Sequence, residues 1–246
     1  MFDYALGGKD NYLVDRQAAE MVRDALPTAL AAVQENRRFV RRAVRHLLAT
    51  GTRQFLDLGC GLPGRGNVHD LAHAADPSAT VVYVDNDPVI VNHYLALLSS
   101  STVADALLAD VRDPGDVLTA PTTTKLIDFD RPVGILATAL LHYFGDEEDP
   151  AALVRTFVSA VPAGSHLVIS HYNPDGVSAD ERAATTKFAE SFGIRMIDRR
   201  PEEIEALFGD LVLVEPGLVQ PPLWRPDRPQ RTPTGWFLAG VGRKGT

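Results

Sequence analysis

A chain of 246 residues, 45% of them apolar, is long enough to bury one large core or one core with an added cap. Its 24 Lys and Arg against 32 Asp and Glu leave a net charge of −8, which disfavours a broad nucleic-acid footprint. One cysteine cannot form an intrachain disulfide, the longest apolar run (Val133 to Leu141) is too short to span a bilayer, and Met1-Phe2-Asp3-Tyr4 lacks a basic-then-apolar secretory start, so the chain reads as cytoplasmic with no membrane partner.

In chain order, Asp15 caps a predicted helix running to about Leu26, and Pro27-Thr28 opens a second. In the second, Leu30, Val33, Val40, Val44, Leu47 and Leu48 recur at helical spacing until Gly51 ends it. Arg37, Arg38, Arg41, Arg42 and Arg45 flank that stripe, and in an acidic chain they are expected to form a solvated helix face. From residue 54 the texture changes, so residues 1–53 are read as an N-terminal helical cap and 54–246 as the main domain. Strands are predicted near 54–58, 80–84, 105–109, 132–137, 165–170, 211–215 and 235–241. Helices are predicted near 64–75, 87–98, 149–160 and 201–208, with Ser178 to Phe192 as an additional helix inserted after the fifth strand. Such alternation specifies an α/β, Rossmann-like, doubly wound sheet of seven strands. The last two strands are joined by a Pro-rich loop with no helical pattern, which favours an antiparallel pairing over a parallel crossover.

The run Phe55-Leu56-Asp57-Leu58-Gly59-Cys60-Gly61-Leu62-Pro63-Gly64 puts a carboxylate two residues ahead of a glycine-rich turn that follows an apolar strand. Gly59, Gly61 and Gly64 fit G-x-G-x-x-G, which in a dinucleotide enzyme holds a pyrophosphate. Asp57 argues against that ligand, because a carboxylate about 4 Å from a phosphate charge meets repulsion of about 4 kcal/mol at an effective dielectric of 20. A ligand carrying an ammonium and a sulfonium is attracted instead. Asp-x-Gly-x-Gly resembles motif I of the class I methyltransferases that use S-adenosylmethionine (SAM), with Gly59 and Gly61 allowing close backbone approach. The chain departs from the commonest form of the motif at Pro63, which has no N–H to offer. Cys60 is read as a small packed residue.

Asp85 ends the second strand 24 residues after Gly61, where an acid accepting from ribose hydroxyls is expected, with Asn86 beside it. Asp87, before Pro88, is the better helix cap. Asp110 follows the third strand, and the resemblance implies that it accepts from the adenine amino group while the Val111 N–H serves a ring nitrogen; the purely structural reading of Asp110 is a turn cap. The opening Asp3-Tyr4-Ala5-Leu6-Gly7-Gly8-Lys9-Asp10-Asn11-Tyr12, together with Gln54 to Gly59 and Leu213 to Val219, is similar to the signature of a narrower family of bacterial SAM methyltransferases. There Lys9 is a candidate partner of the methionine carboxylate, and Tyr4 and Tyr12 are candidates for closing the cofactor site, against a plain helix-preceding turn.

Methyl transfer depends mainly on alignment and desolvation, so a general base is optional. His142 and His171, in clusters that follow the fourth and fifth strands, are the catalytic candidates; packing histidines are the alternative. The acids Asp146 to Asp149 are expected to cap a helix, with no metal implied. Trp224 either packs at an edge, the favoured reading, or covers a planar substrate. The expectation is a SAM-dependent methyltransferase acting on a small-molecule acceptor, with self-association left open. The alternatives are an NAD-dependent oxidoreductase and a non-catalytic SAM-binding protein.

Overall fold

A computed structural model describes residue 26 and residues 28–64, 66–227 and 232–245. The segment bearing Tyr4, Lys9 and Tyr12 and the predicted helix from Asp15 lie, except for Leu26, outside the described residues. In order, the chain forms α1 (Ala29–Ala49), β1 (Gln54–Leu58), α2 (Val68–Ala75), β2 (Thr80–Asp85), α3 (Pro88–Leu97) and β3 (Ala104–Leu108). It continues through α4 (Pro114–Thr119), α5 (Pro121–Leu126), β4 (Val133–Thr138), α6 (Pro150–Ser159), β5 (His166–Tyr172), α7 (Ala179–Ser191), α8 (Pro201–Ala206), β6 (Val212–Leu213) and β7 (Phe237–Arg243).

The strands form one sheet in the order β3-β2-β1-β4-β5-β7-β6, parallel except for β7, which runs antiparallel to both β5 and β6. Both faces are covered. Phe55, Val81, Tyr83, Leu136 and Val168 pack with α1, α2 and α3, while Leu56, Val82, Val84, Ile135, Leu167 and Ile169 pack with residues of α4, α5 and α6. Alternate residues of each strand thus feed opposite cores, as the two-residue period of a strand dictates. α1 belongs to the first core through Phe39, Val40, Val44 and Leu47.

Two features differ from expectation. The short helices α4 and α5 were not predicted, because each is six residues long and opens on a proline, Pro114 or Pro121, leaving too few turns to show a helical period. The arginine-rich face of α1 is not uniformly solvated. Arg42 is 5% exposed, donating from Nε to the Trp224 carbonyl (2.8 Å) and from Nη2 to the Pro221 carbonyl (2.5 Å), so burial of a cation is offset by two charge-assisted bonds. These bonds hold the Pro-rich loop against α1. Trp224 is fully buried and meets Phe39 edge-on at 5.4 Å, which makes it a packing residue. Among the described residues no helix is long and apolar enough to cross a membrane.

Because β1 and β4 are neighbours while the chain winds outward from them in both directions, the strand order reverses between them. A crevice opens there, beyond the carboxyl ends of the strands.

Candidate active site

A cavity of ≈ 900 Å³ occupies that crevice. Its floor is the Gly59–Gly64 loop. The Gly59 and Cys60 N–H groups donate to the Val84 carbonyl at 2.8 and 3.1 Å, which pins the turn to β2. Gly59 and Gly61 both have φ +62°, a conformation that favours glycine, and a Cβ on Gly59 would lie 2.5 Å from Leu140 Cδ1. A Cβ on Gly61 would meet nothing within 4 Å, so at this point bare backbone faces open space. That is the cradle a ligand needs.

Asp85 stands at the end of β2 on the cavity wall. Its Oδ2 accepts from the Gly61 N–H (3.0 Å) and its Oδ1 from the Asp87 N–H (3.0 Å), which leaves each oxygen further acceptor capacity. Asp87 caps α3 by accepting from the Val89 N–H at 2.8 Å. Beyond β3, Asp110 and Val111 also line the cavity, with Asn86 opposite donating to Asp110 Oδ2 at 3.4 Å. Asp110 Oδ1 accepts from the Arg112 N–H (2.9 Å), so the turn-capping role is present alongside the wall position. Burial pushes the Asp110 carboxyl up, but hydrogen bonds from Arg112 and Asn86 and the Arg112 charge outweigh it and hold the group below its ordinary value. Arg112 in turn bonds Glu148 at 2.5 Å and lies over the Phe144 ring at 4.5 Å.

Asp57 is placed differently from the other two acids. It is 5% exposed and lies beneath the loop, not on the cavity wall. Burial, opposed by the nearby Arg37 and reinforced by Asp85, lifts its carboxyl to about 7. Arg37, from α1, lines the cavity and donates from Nη2 to the Leu62 carbonyl (2.8 Å), tying α1 to the glycine loop. Cys60 is buried with its thiol pushed up, chiefly by burial, so it packs and does not act as a thiolate.

The other end of the cavity is apolar and aromatic. Leu26, Leu30, Tyr143, Tyr172, Phe188 and Met196 line it together with Trp236 and Phe237. Trp236 Nε1 donates to Thr28 Oγ1 (2.7 Å), which donates to Glu181 Oε1 (2.8 Å), joining the residue before β7, the residue before α1 and α7 around this chamber. Ser178 caps α7, accepting from the Glu181 N–H.

The two predicted histidines come together, with ring centroids 5.4 Å apart, but only His142 is on the cavity wall. His171 is fully buried behind it. Its Nδ1 lies 2.6 Å from the Tyr172 carbonyl and so carries the proton, which leaves Nε2 to accept from Arg199 Nη1 at 3.3 Å. Burial and the Arg199 charge, against the Tyr172 bond, lower His171 to about 4; burial, His171 and Arg199 lower His142 well below its ordinary value. Both rings are neutral at pH 7. Arg199 also donates to the Leu141 (3.0 Å) and Phe144 (2.8 Å) carbonyls and to Asp146 (2.9 Å), fixing the loop that carries His142 and Tyr143.

The acidic run is fully engaged: Asp146 with Arg199, Glu147 with Arg195, Glu148 with Arg112, and Asp149 as the cap of α6, accepting from the Ala152 N–H at 2.9 Å. Among the described residues no group of three His, Cys, Asp or Glu is arranged to hold a metal. Sequence reasoning missed Asn36, Arg37, Arg112, Phe188, Met196 and Trp236 on the wall. The signal for the first two was present, since Val33, Asn36, Arg37 and Val40 follow the i, i+3, i+4, i+7 spacing of one helix face.

Residues 1–245 match the model of a family described as S-adenosyl methyltransferase. Among solved structures, one from Thermobifida fusca, described as a candidate methyltransferase, shares 38% identity over 100% of this chain and 93% of its own, with a TM-score of 0.93. A DUF574 family protein from Streptomyces avermitilis shares 34% identity over 99% of this chain and 95% of its own, also with a TM-score of 0.93. The N-methyltransferase NodS from Bradyrhizobium japonicum, solved with S-adenosylhomocysteine, is 14% identical over 85% of this chain and 88% of its own, and its TM-score of 0.51 reflects a shared fold. No curated protein matches. A glycine cradle and two strand-end acids on one wall suit an adenosyl ligand, and Asp57 beneath them suits a cationic one better than a diphosphate. The chain belongs to the S-adenosyl methyltransferase family, and it is a SAM-dependent methyltransferase.

Proposed function

We propose that the enzyme methylates a small-molecule acceptor held in the aromatic chamber. The observation that carries this reading is that the chamber and the glycine cradle are two ends of one cavity of ≈ 900 Å³, a size suited to small molecules. In this reading residues 1–53 cap the domain formed by 54–246, with Leu30, Val33, Asn36 and Arg37 closing one side of the cavity.

Asp85 would accept from the ribose hydroxyls, and Asp110 and the Val111 N–H would hold the adenine edge, with Asn86 orienting Asp110. Arg37, bonded to the loop at Leu62, suits the methionine carboxylate, together with Lys9; Tyr4 and Tyr12 would close the site over it. Asp57, beneath the loop, would favour the positive end of the ligand through space. When bound, SAM supplies an electrophilic methyl group on a sulfonium, which an acceptor lone pair takes in line as the carbon–sulfur bonding pair returns to sulfur.

The protein's own part is positioning and exclusion of water. Trp236, Phe237, Tyr143 and Phe188 desolvate the acceptor, so that its lone pair is not shared with solvent. The acceptor proton leaves to His142, which is neutral, or to water; His171 acts by holding His142 in place. Titration of SAM, S-adenosylhomocysteine, NAD and NADP into the purified protein should show binding of the first two only. Incubation of a cell extract with methyl-labelled SAM should put label in the low-mass fraction. Label confined to protein or nucleic acid would refute a small-molecule acceptor.

A further inference from the structure

Asp146, Glu147 and Glu148 each pair with a different arginine, and the partner of Glu148 stands on the cofactor side of the cavity. Arg112, just beyond β3, spreads its guanidinium between two acids. Its Nη1 donates to both oxygens of Asp110, at 3.3 and 3.2 Å, and its Nε donates to Glu148 Oε1 at 2.5 Å. The flat of the guanidinium lies over the buried Phe144 ring, 4.5 Å from its centroid. With its side chain 42% exposed, an ion pair of this kind adds little to stability. What three partners do supply is direction, because the planar fork cannot turn without giving up Asp110, Glu148 or Phe144.

Glu148 lies behind Arg112, off the cavity wall, in the loop between β4 and α6. Its other oxygen, Oε2, accepts from the Gly145 N–H at 2.6 Å, so one carboxylate ties the loop to itself and to Arg112. The same loop carries His142 and Tyr143, and Arg199 holds it from the opposite side through the Leu141 and Phe144 carbonyls. The bonds to Asp110 Oδ2, 3.2 Å from Arg112 and 3.4 Å from Asn86, are long and leave acceptor capacity for a ligand N–H. A ligand that draws on Asp110 is therefore joined, through one guanidinium, to the loop that walls the aromatic chamber.

Resting on the adenine-binding role proposed for Asp110, we infer that Arg112 is a positioning residue that couples cofactor recognition to the acceptor side of the site. Held by Glu148 and Phe144, it aims Asp110 at the 6-amino group of adenine, and an adenine in place steadies the loop of residues 140–149. Such coupling is reciprocal, so loosening the loop at Glu148 weakens the preference for adenine, and loss of the Arg112 fork frees the loop from the cofactor. Arg112 touches neither the methyl group nor the acceptor in this scheme.

The test compares S-adenosylhomocysteine with S-inosylhomocysteine, in which an oxygen replaces the 6-amino group, and follows hydrogen–deuterium exchange of residues 140–149. The wild type should bind the adenosyl compound at least about tenfold more tightly, the equivalent of one hydrogen bond, and saturation with it should slow exchange in the loop at least about threefold. Glu148→Ala, remote from the ligand, should cut that preference to about a third or less, within the usual size of a coupling between sites. Arg112→Lys, which keeps the charge and loses the fork, should reduce the preference likewise and abolish the ligand-dependent slowing. Glu147→Ala, which breaks only the neighbouring pair with Arg195, should match the wild type in both readouts. An unchanged preference in Glu148→Ala, an equal loss in Glu147→Ala, slowing retained in Arg112→Lys, or loop exchange indifferent to S-adenosylhomocysteine in the wild type would each overturn the inference. Equal binding of the two compounds by the wild type would instead remove the adenine role of Asp110, and failure of both to bind would remove the cofactor site itself.

Discussion

Replacement of Asp57 by asparagine isolates the electrostatics of the cofactor site, because the side chain is buried and isosteric substitution changes only its charge. The Asp57 carboxyl is lifted from 3.8 to about 7 in the folded protein, mainly by burial, which makes ionisation cost roughly 4 kcal/mol more there than in the unfolded chain. The sign follows from proton binding. Between about pH 4 and 7 the folded state holds a proton that the unfolded state has lost, so the contribution of Asp57 to stability is fully present below about pH 4 and is lost as pH rises through 7. The asparagine side chain cannot ionise and escapes this loss. Urea unfolding of the ligand-free proteins should therefore show Asp57→Asn gaining on the wild type by roughly 2–3 kcal/mol between pH 5 and pH 8, all other titrating groups cancelling in the difference. A cationic ligand reverses the effect by favouring the ionised carboxylate, so the wild type should gain SAM affinity relative to the variant over the same pH interval. A difference in unfolding free energy that does not change with pH, or that changes in favour of the wild type, would refute the buried-acid account.

Asp85→Ala should weaken SAM binding by about 1–3 kcal/mol in calorimetric titration, because it removes an acceptor from the wall and frees the Gly61 and Asp87 N–H groups it now holds. His142→Gln should leave S-adenosylhomocysteine affinity unchanged and lower kcat, whereas His171→Gln should act through the His142 loop and disturb KM as well; equal kinetic effects of the two would show that neither ring touches the acceptor. His166 is 3% exposed with neither ring nitrogen partnered, and burial lowers it to about 4, so its folded state resists a proton that the unfolded state accepts near 6.5. Acidification from pH 6.5 towards 4 thus costs stability at this position, and His166→Leu should resist acid unfolding better than the wild type, as followed by far-ultraviolet circular dichroism.

The sheet and the placement of the glycine loop and strand-end acids at one crevice were legible because their signals are local. Asp57, Asp85 and Asp110 each follow or end a short apolar run, and Gly59 and Gly61 mark a turn that only a backbone at φ +62° can make. The antiparallel β7 was legible from what its connection lacks. The aromatic chamber was not, because it is assembled from α1, the β4 and β5 loops, α7 and Trp236, which meet only through the fold. Arg42 was misread for the same reason: its partners, the carbonyls of Pro221 and Trp224, are about 180 residues away and carry no side-chain signature. Asp57 stands out in the sequence by its charge, but its depth beneath the loop and off the cavity wall depends on tertiary packing that no local pattern encodes.

The histidine pair shows how that assembly limits the chemistry available. His142 Nδ1 faces the Tyr172 N–H at 3.5 Å, a long contact that favours the tautomer with its proton on Nε2. In that form the ring donates, and it becomes a base only by exchanging tautomers and giving up a weak bond, a small cost. Its basicity, however, is depressed by burial and by His171 and Arg199 behind it. A base this weak cannot ionise a neutral alcohol or amine in advance. It can take a proton that methylation has already made acidic, since an acceptor atom that gives its lone pair to carbon acquires positive charge and holds its hydrogen far less tightly. On the proposed function, transfer of the methyl group would lead and proton loss would follow, so that alignment of the acceptor matters more to rate than the basicity of His142.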